Sequence, residues 1–483
     1  MFEEKKFRKT HPYSILRHLK ISILLILLSM LQQILFHPQN ILEIIGSLGI
    51  NAFYVMAILF YYLSTYGNLK YYVDERSIYI REGVFIHRMY RIPKKKICTI
   101  VFYRDIISSL FGAEKISIDT PSGSYKKFDM ESYFSRRNAR KIREKLCEQE
   151  TGQTFHRSRT AGILMMSAFW SNPVTGLIFI IPVINGVGKL LGKEAANEMV
   201  RQSIHSQWFY YARFISPAVA TLTAIILLSW SISMLLCFLR YVRLCTYRLQ
   251  EYLVIVRGLI SHHMTYIRLN SLSSVNIDQS LLMRLLRVKS CSVSAVGSGK
   301  LKGDRGMIIA ADKTDKVHRT MTELTGMDYH ADKILRVAKK SVFAYIYLPL
   351  LGLTLPTALF FLRYLLPKLW ATITFMGYLA LLVVIWWLLF RIFCYKESHI
   401  GYNAQSLIVC CFHRLVLKKY YIPVDNIQKI EISQSFFQKR SGKCNVKVYL
   451  YFEKRAVCRI KQLPLPQLLR LLALSPLTEK REK

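Results

Sequence analysis

The chain has 483 residues, of which 52% are hydrophobic, and 68 Lys and Arg against 30 Asp and Glu give a net charge of +38. This length is too great for one ordinary domain. The charge alone would suit a nucleic-acid-binding protein. No zinc finger, basic zipper or RNA-binding aromatic signature accompanies it, so nucleic acid is not expected as a partner.

Six apolar runs come in three pairs, and a basic, strand-rich segment follows each pair. A span of the hydrocarbon core needs about 20 apolar residues. The runs are 21–36 with 44–63, 163–184 with 214–239, and 342–366 with 370–393. The run 21–36 is the weakest, because it is short and contains Gln32 and Gln33. The pattern predicts an α+β membrane protein with six transmembrane helices in three pairs.

Topology follows from the distribution of charge. Lys5, Lys6, Arg8 and Lys9 make the N-terminal segment basic, which favours a cytoplasmic position. An even number of spans then places both termini and all three basic segments in the cytoplasm, and the loop 185–213 outside. The predicted division is 1–65 (N-terminal segment and first pair), 66–160 (repeat 1), 161–240 (second pair), 241–340 (repeat 2), 341–394 (third pair) and 395–483 (repeat 3). We expect a multi-pass plasma-membrane protein.

The three soluble segments are repeats of one another. Aligned without gaps, Gly83 matches Gly258, Pro93 matches Pro423, and Gly112 matches Gly442. Residues 115–119, 290–295 and 445–449 alternate with the period of a β-strand. Each repeat ends in a stretch with helical spacing, at 132–150, around 317–324 and at 464–475. Several antiparallel strands followed by one helix predict a small barrel or sandwich closed by a C-terminal helix.

Six short motifs carry a resemblance to a known family. They are Arg81-Glu82-Gly83, Arg257-Gly258, Ile92-Pro93, Ile422-Pro423, Gln279-Ser280 and Gln434-Ser435. With the paired spans, they resemble the bacterial pleckstrin-homology-like membrane-flanked domain, and the triple arrangement resembles the YdbT-like membrane proteins of Gram-positive bacteria. The resemblance implies a pleckstrin-homology-like barrel in each repeat, without implying phosphoinositide binding. Repeat 3 departs from the pattern at Phe412-His413, and repeat 2 has Arg268 in place of the proline.

No motif for catalysis or metal binding emerges. Residues 295–301 resemble the end of a phosphate-binding loop, but Ser294 and Leu301 stand where that loop needs Gly and Ser or Thr, so a hairpin turn is expected. His262 and His263 are adjacent on a strand, point to opposite faces and are expected to be solvated. The ten cysteines lack CxxC spacing and are expected to be reduced thiols, with zinc binding as a remote alternative. We expect a non-enzymatic protein without a cofactor.

Basic clusters are the candidate contact residues. Arg91, Lys94, Lys95 and Lys96 surround the first Ile-Pro step; Arg284 and Arg287 lie in the turn of repeat 2; and Lys418, Lys419, Lys439 and Arg440 belong to repeat 3. Such residues either form a solvated face or contact a membrane or a partner. Because each repeat is tethered near a bilayer, anionic lipid headgroups are expected partners. The other expected partner is a membrane protein of the same family.

These observations favour a membrane scaffold that organises lipids or partner membrane proteins. The family resemblance alone adds a link to envelope stress or antimicrobial-peptide resistance. The alternative is a transporter or a lipid-handling channel. Transport paths usually contain ionisable residues inside the spans, and here Glu43 and Arg363 lie only at span edges.

Overall fold

The structure is a computed structural model, and it describes residues 7–15, 41–84, 86–121, 128–147, 154–171, 174, 176–178, 217–295, 306–338, 341–366, 370–413, 416–450 and 458–473. The helices are α1 (Ile41–Asn68), α2 (Ile106–Leu110), α3 (Arg136–Leu146), α4 (Thr160–Trp170), α5 (Pro217–Tyr241), α6 (Leu281–Leu285), α7 (Thr314–Thr325), α8 (Val342–Gly352), α9 (Thr354–Leu365), α10 (Trp370–Glu397), α11 (Phe436–Arg440) and α12 (Leu465–Ala473).

The strands are as follows. They are β1 (Arg8–Lys9), β2 (Lys70–Val73), β3 (Ser77–Glu82), β4 (Arg88–Pro93), β5 (Thr99–Arg104), β6 (Ala113–Asp119), β7 (Met130–Ser135), β8 (Thr154–Arg157), β9 (Cys245–Leu249), β10 (Tyr252–Arg257), β11 (His262–Arg268), β12 (Leu272–Ser280), β13 (Val288–Ala295), β14 (Met307–Lys313), β15 (Lys333–Arg336), β16 (His399–Tyr402), β17 (Ser406–His413), β18 (Val416–Pro423), β19 (Ile427–Ser433), β20 (Lys443–Leu450) and β21 (Cys458–Pro464).

Each repeat contains two groups of three antiparallel strands followed by one helix. In repeat 1 these are β2–β4, β5–β7 and α3, and repeats 2 and 3 follow the same order. Gly83 and Gly258 have φ values of 118° and 100°, which suit the hairpins expected there. The first closing helix begins at Arg136 rather than at residue 132, because 130–135 forms β7. The Ser135 side chain then accepts a hydrogen bond from the Asn138 N–H and caps the helix.

The chain forms two compact units that divide repeat 2 between them. Unit 1 comprises residues 1–155, 246–272 and 295–304, and unit 2 comprises residues 156–245, 273–294 and 305–483. The first sheet of repeat 2 thus belongs to unit 1, and its second sheet belongs to unit 2. The six-segment division predicted from the sequence remains a proposal.

Strands of neighbouring repeats join into continuous sheets. In unit 1 the strand order is β7-β6-β5-β11-β10-β9, so β11 of repeat 2 pairs with β5 of repeat 1. In unit 2 the order is β14-β13-β12-β18-β17-β16-β15, so β18 of repeat 3 pairs with β12 of repeat 2. Two smaller sheets have the orders β1-β2-β3-β4 and β19-β20-β21.

The first junction extends the core of repeat 1. Tyr266 lies opposite Ile100 across the β11–β5 pair, and its ring makes an edge contact with Phe102 at 5.7 Å. Val254 joins the same cluster, which also contains Ile142 of α3. Burying a side chain of this size contributes about 1.5–3 kcal/mol. The pairing is therefore reinforced by packing as well as by backbone hydrogen bonds.

Membrane-length helices pack directly onto repeat 3. The Tyr345 hydroxyl of α8 donates to the Lys461 carbonyl at 3.0 Å, and Arg391 Nε of α10 donates to the Tyr345 carbonyl at 2.9 Å. Phe390 and Cys394 of α10 are part of the core of repeat 3. These contacts fix the third pair of helices to the barrel that follows it.

Three helical segments within the described residues are long and apolar enough to cross a membrane: Thr223–Tyr241, Val342–Leu365 and Ile373–Glu397. The last two match the predicted third pair. The predicted runs 44–63 and 214–239 fall largely on α1 and α5, while only the first part of 163–184 is described, as the short apolar helix α4. The run 21–36 and the loop 185–213 lie outside the described residues, as does most of the turn expected at 295–301.

One expectation about the cysteines is wrong. A disulfide joins Cys411 of β17 to Cys458 of β21, with their Cα atoms 6.2 Å apart. The remaining eight cysteines are free thiols, as expected. The pair was invisible in the sequence because its members lie 47 residues apart and meet only when the two sheets of repeat 3 pack together.

Candidate lipid-facing and partner-facing surfaces

A short capped helix recurs at the same position in all three repeats. Asp105, Ser280 and Ser435 precede α2, α6 and α11, and each side chain accepts a hydrogen bond from a backbone N–H three residues later. The distances are 2.9, 3.2 and 3.4 Å, respectively. This N-cap geometry gives a five-residue helix a defined start.

These helices expose large apolar side chains. Leu110 of α2 is 84% exposed, Leu285 of α6 is 80% exposed, and Phe436 and Phe437 of α11 are 80% and 81% exposed. An exposed cluster of this kind is informative, since isolated surface apolar residues are common but repeated exposed tips are not. The sequence contained the signal, an apolar pair before a basic turn, but its exposure could not be read from it.

A left-handed residue ends each short helix. Gly112, Arg287 and Gly442 occupy the same repeat position, with φ values of 67°, 54° and 63°. Arg287 is therefore a non-glycine residue in a conformation that favours glycine. It is exposed, as are Lys439 and Arg440 of α11, so three of the predicted contact residues flank the apolar tips.

The tip of α6 lies beside the end of a membrane-length helix. Arg284 Nη1 lies 2.7 Å from a carboxylate oxygen of Glu397, the last residue of α10. The same guanidinium lies 4.2 Å from the ring centroid of Phe393. Leu281, the first residue of α6, packs against the cluster that contains Phe393. Arg284 therefore fixes α6 at the end of α10, where a bilayer surface would be met.

Three of the four predicted basic residues of repeat 1 lie around an open cleft of about 710 Å³ in unit 1. Arg91, Lys94 and Lys95 line it, whereas Lys96 is exposed outside it. The remaining charged lining residues, which the sequence did not single out, are Arg76, Arg268, Glu75 and Glu251. Five cations against two carboxylates give the cleft the charge to hold an anionic group.

Arg268 closes one side of this cleft. It donates to the Lys95 carbonyl, lies 3.5 Å from a carboxylate oxygen of Glu251, and stacks over the ring of Tyr252. Burial raises the pKa of the Tyr252 hydroxyl, so this group remains protonated and able to donate a hydrogen bond. Arg268 thus stands where the family pattern has proline, and it bridges repeats 1 and 2.

Comparison with known proteins identifies the repeats. The family model described as Bacterial PH domain matches residues 21–150, 200–325 and 350–475. The chain belongs to the bacterial PH domain family. It is 22% identical over 404 residues to the UPF0699 transmembrane protein YdbT of Bacillus subtilis (strain 168), a match covering 77% of each chain. No solved structure matches it. The resemblance inferred from the motifs is confirmed: this is a membrane protein with three bacterial PH repeats.

Two predicted contact residues lie at the junction between PH repeats 2 and 3. Lys418 lies opposite Asp278 in the β12–β18 pair, with Nζ 3.7 Å from Oδ1 of a carboxylate that is 1% exposed. Lys419 lies opposite Ile277, and burial lowers its pKa. Nearby, the pKa of His318 is lowered to about 4, mainly by burial and then by the positive charges of Lys289 and Lys419. The sequence could not show this, because it did not predict edge pairing between repeats.

The histidine pair also belongs to a junction. His262 and His263 lie on β11 opposite Arg104 and Tyr103, and His263 contacts the Tyr103 ring at a centroid distance of 4.5 Å. Both are partly buried, so the expectation that they are solvated is wrong. Within the described part of the chain, no group of three or more His, Cys, Asp or Glu is placed to hold a metal ion.

Proposed function

We propose that this bacterial PH protein is a non-enzymatic membrane scaffold whose PH repeats contact anionic lipid through the apolar tips of α2, α6 and α11, helped by Arg287 beside α6 and by Lys439 and Arg440 of α11. It would cross the plasma membrane six times, with both termini and the three repeats in the cytoplasm. The observation that carries the proposal is the position of α6, whose exposed Leu285 projects from a helix fixed by Arg284 to the end of α10.

The energetics favour shallow insertion. Transferring one Leu of this exposure into an apolar environment contributes about 1.5–2 kcal/mol. A nearby Lys or Arg adds about 1 kcal/mol at an anionic surface, and salt screens that part. Because the repeats are already tethered to the bilayer, such modest terms are enough to hold a tip at the headgroups. A role in envelope stress would rest on the family resemblance alone.

The described spans support a scaffold over a transporter. In Thr223–Tyr241 and Val342–Leu365 the charged residues are Arg240 and Arg363, both near a helix end. In Ile373–Glu397 they are Arg391, Lys396 and Glu397, again near the end. An ionisable path through the membrane centre would be expected of most transporters.

Photocrosslinking of the full chain in liposomes tests the lipid contact. A benzoyl-phenylalanine residue replaces Leu110 or Leu285, and the matched control replaces Arg319 of α7, whose side chain is 85% exposed. We expect lipid adducts at both tips and few at the control, with several-fold more adduct at Leu285 in phosphatidylglycerol than in phosphatidylcholine alone. Arg287→Gln should reduce the phosphatidylglycerol excess at Leu285. Equal adduct yields at the tips and at Arg319 would refute the proposal.

A further inference from the structure

One mode of strand pairing joins the PH repeats twice. The last strand of a first sheet pairs with the first strand of the preceding repeat's second sheet: β11 with β5, and β18 with β12. The register is the same in both cases. Tyr266 lies opposite Ile100 at the first junction, and Tyr421 lies opposite Val275 at the second, each at the same repeat positions.

Each end of the repeat series leaves one such strand at a sheet edge. β4 is the counterpart of β11 and β18 and ends the β1-β2-β3-β4 sheet; β19 is the counterpart of β5 and β12 and ends the β19-β20-β21 sheet. Among the described residues, neither strand has a second neighbour. The first four residues of β4 are exposed, whereas all residues of β11 are buried or half-buried. An unpaired edge of this kind is a template for another strand.

The two edges fit each other if the internal register continues. Arg91 would lie opposite Ile430, Tyr90 opposite Glu431, and Met89 opposite Ile432. The last pair would reproduce the internal contact in which Met264 lies opposite Phe102. Met89 is 44% exposed and would be covered by this pairing.

Charge also matches across the two edges. Arg88 would lie diagonal to Glu431, within reach of its carboxylate. Glu431 already accepts hydrogen bonds from Lys447 Nζ and the Tyr449 hydroxyl, at 2.5 and 2.9 Å, and Lys429 Nζ lies 3.9 Å from its Oε2. The hydrogen bond from Lys447 lowers the pKa of Glu431, so this carboxylate is ionised at neutral pH. A carboxylate has about four acceptor sites, which leaves room for the arginine.

We propose that copies of this chain associate head to tail, with β19 of one copy pairing antiparallel with β4 of the next. A second copy is the occupant because one chain carries both halves of the contact, and because the same contact already joins its own repeats twice. The interface is heterologous, so it builds a ring or an open chain of copies. The inference goes beyond the proposed lipid contact and does not rest on it.

Cysteine cross-linking between two tagged copies of the full chain tests this pairing in detergent without anionic lipid. One copy carries Tyr90→Cys and the other carries Glu431→Cys. Side chains directly opposite in an antiparallel pair have Cβ atoms about 4.5–5.5 Å apart, close to disulfide geometry. Mild oxidation should give a dimer that carries both tags and needs both cysteines.

Two matched controls make the result decisive. Val101→Cys with Thr265→Cys occupies the same repeat positions inside one chain and should close without dimerisation. Arg88→Cys with Lys429→Cys uses the same strands and face, but its members would lie four residues out of register, about 13 Å apart. This second pair should give little dimer.

The cysteine pairs that form decide whether the head-to-tail contact exists. Adding Met89→Lys, at an exposed position, should abolish the Tyr90–Glu431 dimer while the internal pair still closes. If the internal pair closes and the Tyr90–Glu431 dimer never forms, the head-to-tail contact is overturned. Equal dimer from the out-of-register pair would show random collision and would overturn it too. Because no anionic lipid is present, a failure of lipid contact would leave this result unchanged.

Discussion

Lys418→Met should destabilise the β12–β18 strand pairing that joins PH repeats 2 and 3, so that this junction opens more often. Lys418 lies opposite Asp278 across β12 and β18, and the Asp278 side chain is 1% exposed. Ser292 Oγ donates to the other carboxylate oxygen of Asp278 at 3.3 Å. The substitution keeps an unbranched side chain of similar length but removes the cation. The carboxylate would then remain buried with its lysine partner gone.

The free-energy cost of Lys418→Met depends on how deeply the Lys418–Asp278 pair is buried. An exposed ion pair contributes only about 0–1 kcal/mol, whereas removing one partner of a buried pair costs about 3–5 kcal/mol. Asp278 belongs to the second case, but Lys418 retains 22% exposure, and Ser292 still bonds the carboxylate. We therefore expect about 3 kcal/mol, at the lower end of the buried range. Since 1.4 kcal/mol is tenfold, opening of the junction should increase about a hundredfold.

Hydrogen exchange of the full chain in detergent measures this opening. Backbone amides of β12 and β18 should exchange about a hundredfold faster in Lys418→Met, while those of the β5–β11 junction should not change. Adding Asp278→Asn removes the stranded charge and should restore most of the protection. If Lys418→Met accelerated exchange less than threefold, Asp278 would not depend on Lys418 and the reasoning would fail.

Two further predictions concern topology and pH. A cysteine placed in the loop 185–213 should react with a membrane-impermeant maleimide in intact cells, and Glu323→Cys should react only after permeabilisation; early labelling of the latter would reject the cytoplasmic assignment. Burial and the charges of Lys289 and Lys419 lower the folded-state pKa of His318 to about 4. The unfolded state therefore binds the proton more readily, and the thermal midpoint should fall as pH drops from about 6.5 towards 4. His318→Gln should flatten this part of the profile, and an unchanged slope would contradict the assignment.

Local pattern was enough to predict several strands, two hairpins and the closing helix of each repeat, but not the short helices α2, α6 and α11. Alternation at 115–119 and 445–449 marked β6 and β20, and the glycines at 83 and 258 marked hairpins. Helical spacing marked α3, α7 and α12. These features depend on residues close in sequence, which is why a single chain reveals them.

Pairing between repeats could not be predicted so directly, because it joins residues more than 130 positions apart. One signal was nevertheless present. β3 reads Ser-Ile-Tyr-Ile-Arg and alternates, whereas β10 reads Leu-Val-Ile-Val over 253–256, and β17 reads Leu-Ile-Val-Cys-Cys-Phe over 407–412. A continuous apolar run is typical of a strand buried on both faces. These runs therefore indicate that the first sheets of repeats 2 and 3 are buried on both faces, whereas the first sheet of repeat 1 is buried on one.

The charged residues of β4 affect which strand can pair with its free edge. Soluble sheet edges are commonly protected by charge, and β4 carries Arg88 and Arg91 where β11 has His263 and Tyr266. Arg88 would oppose pairing with a strand that lacks a carboxylate on its face, whereas Glu431 on β19 offers one in the continued register. Charge on an edge strand thus selects a partner as well as discouraging aggregation. Two β4 edges would bring arginines together, whereas β19 brings a carboxylate to Arg88. The charges therefore favour β4–β19 contacts over β4–β4 contacts, and a directional series of copies over a symmetric pair.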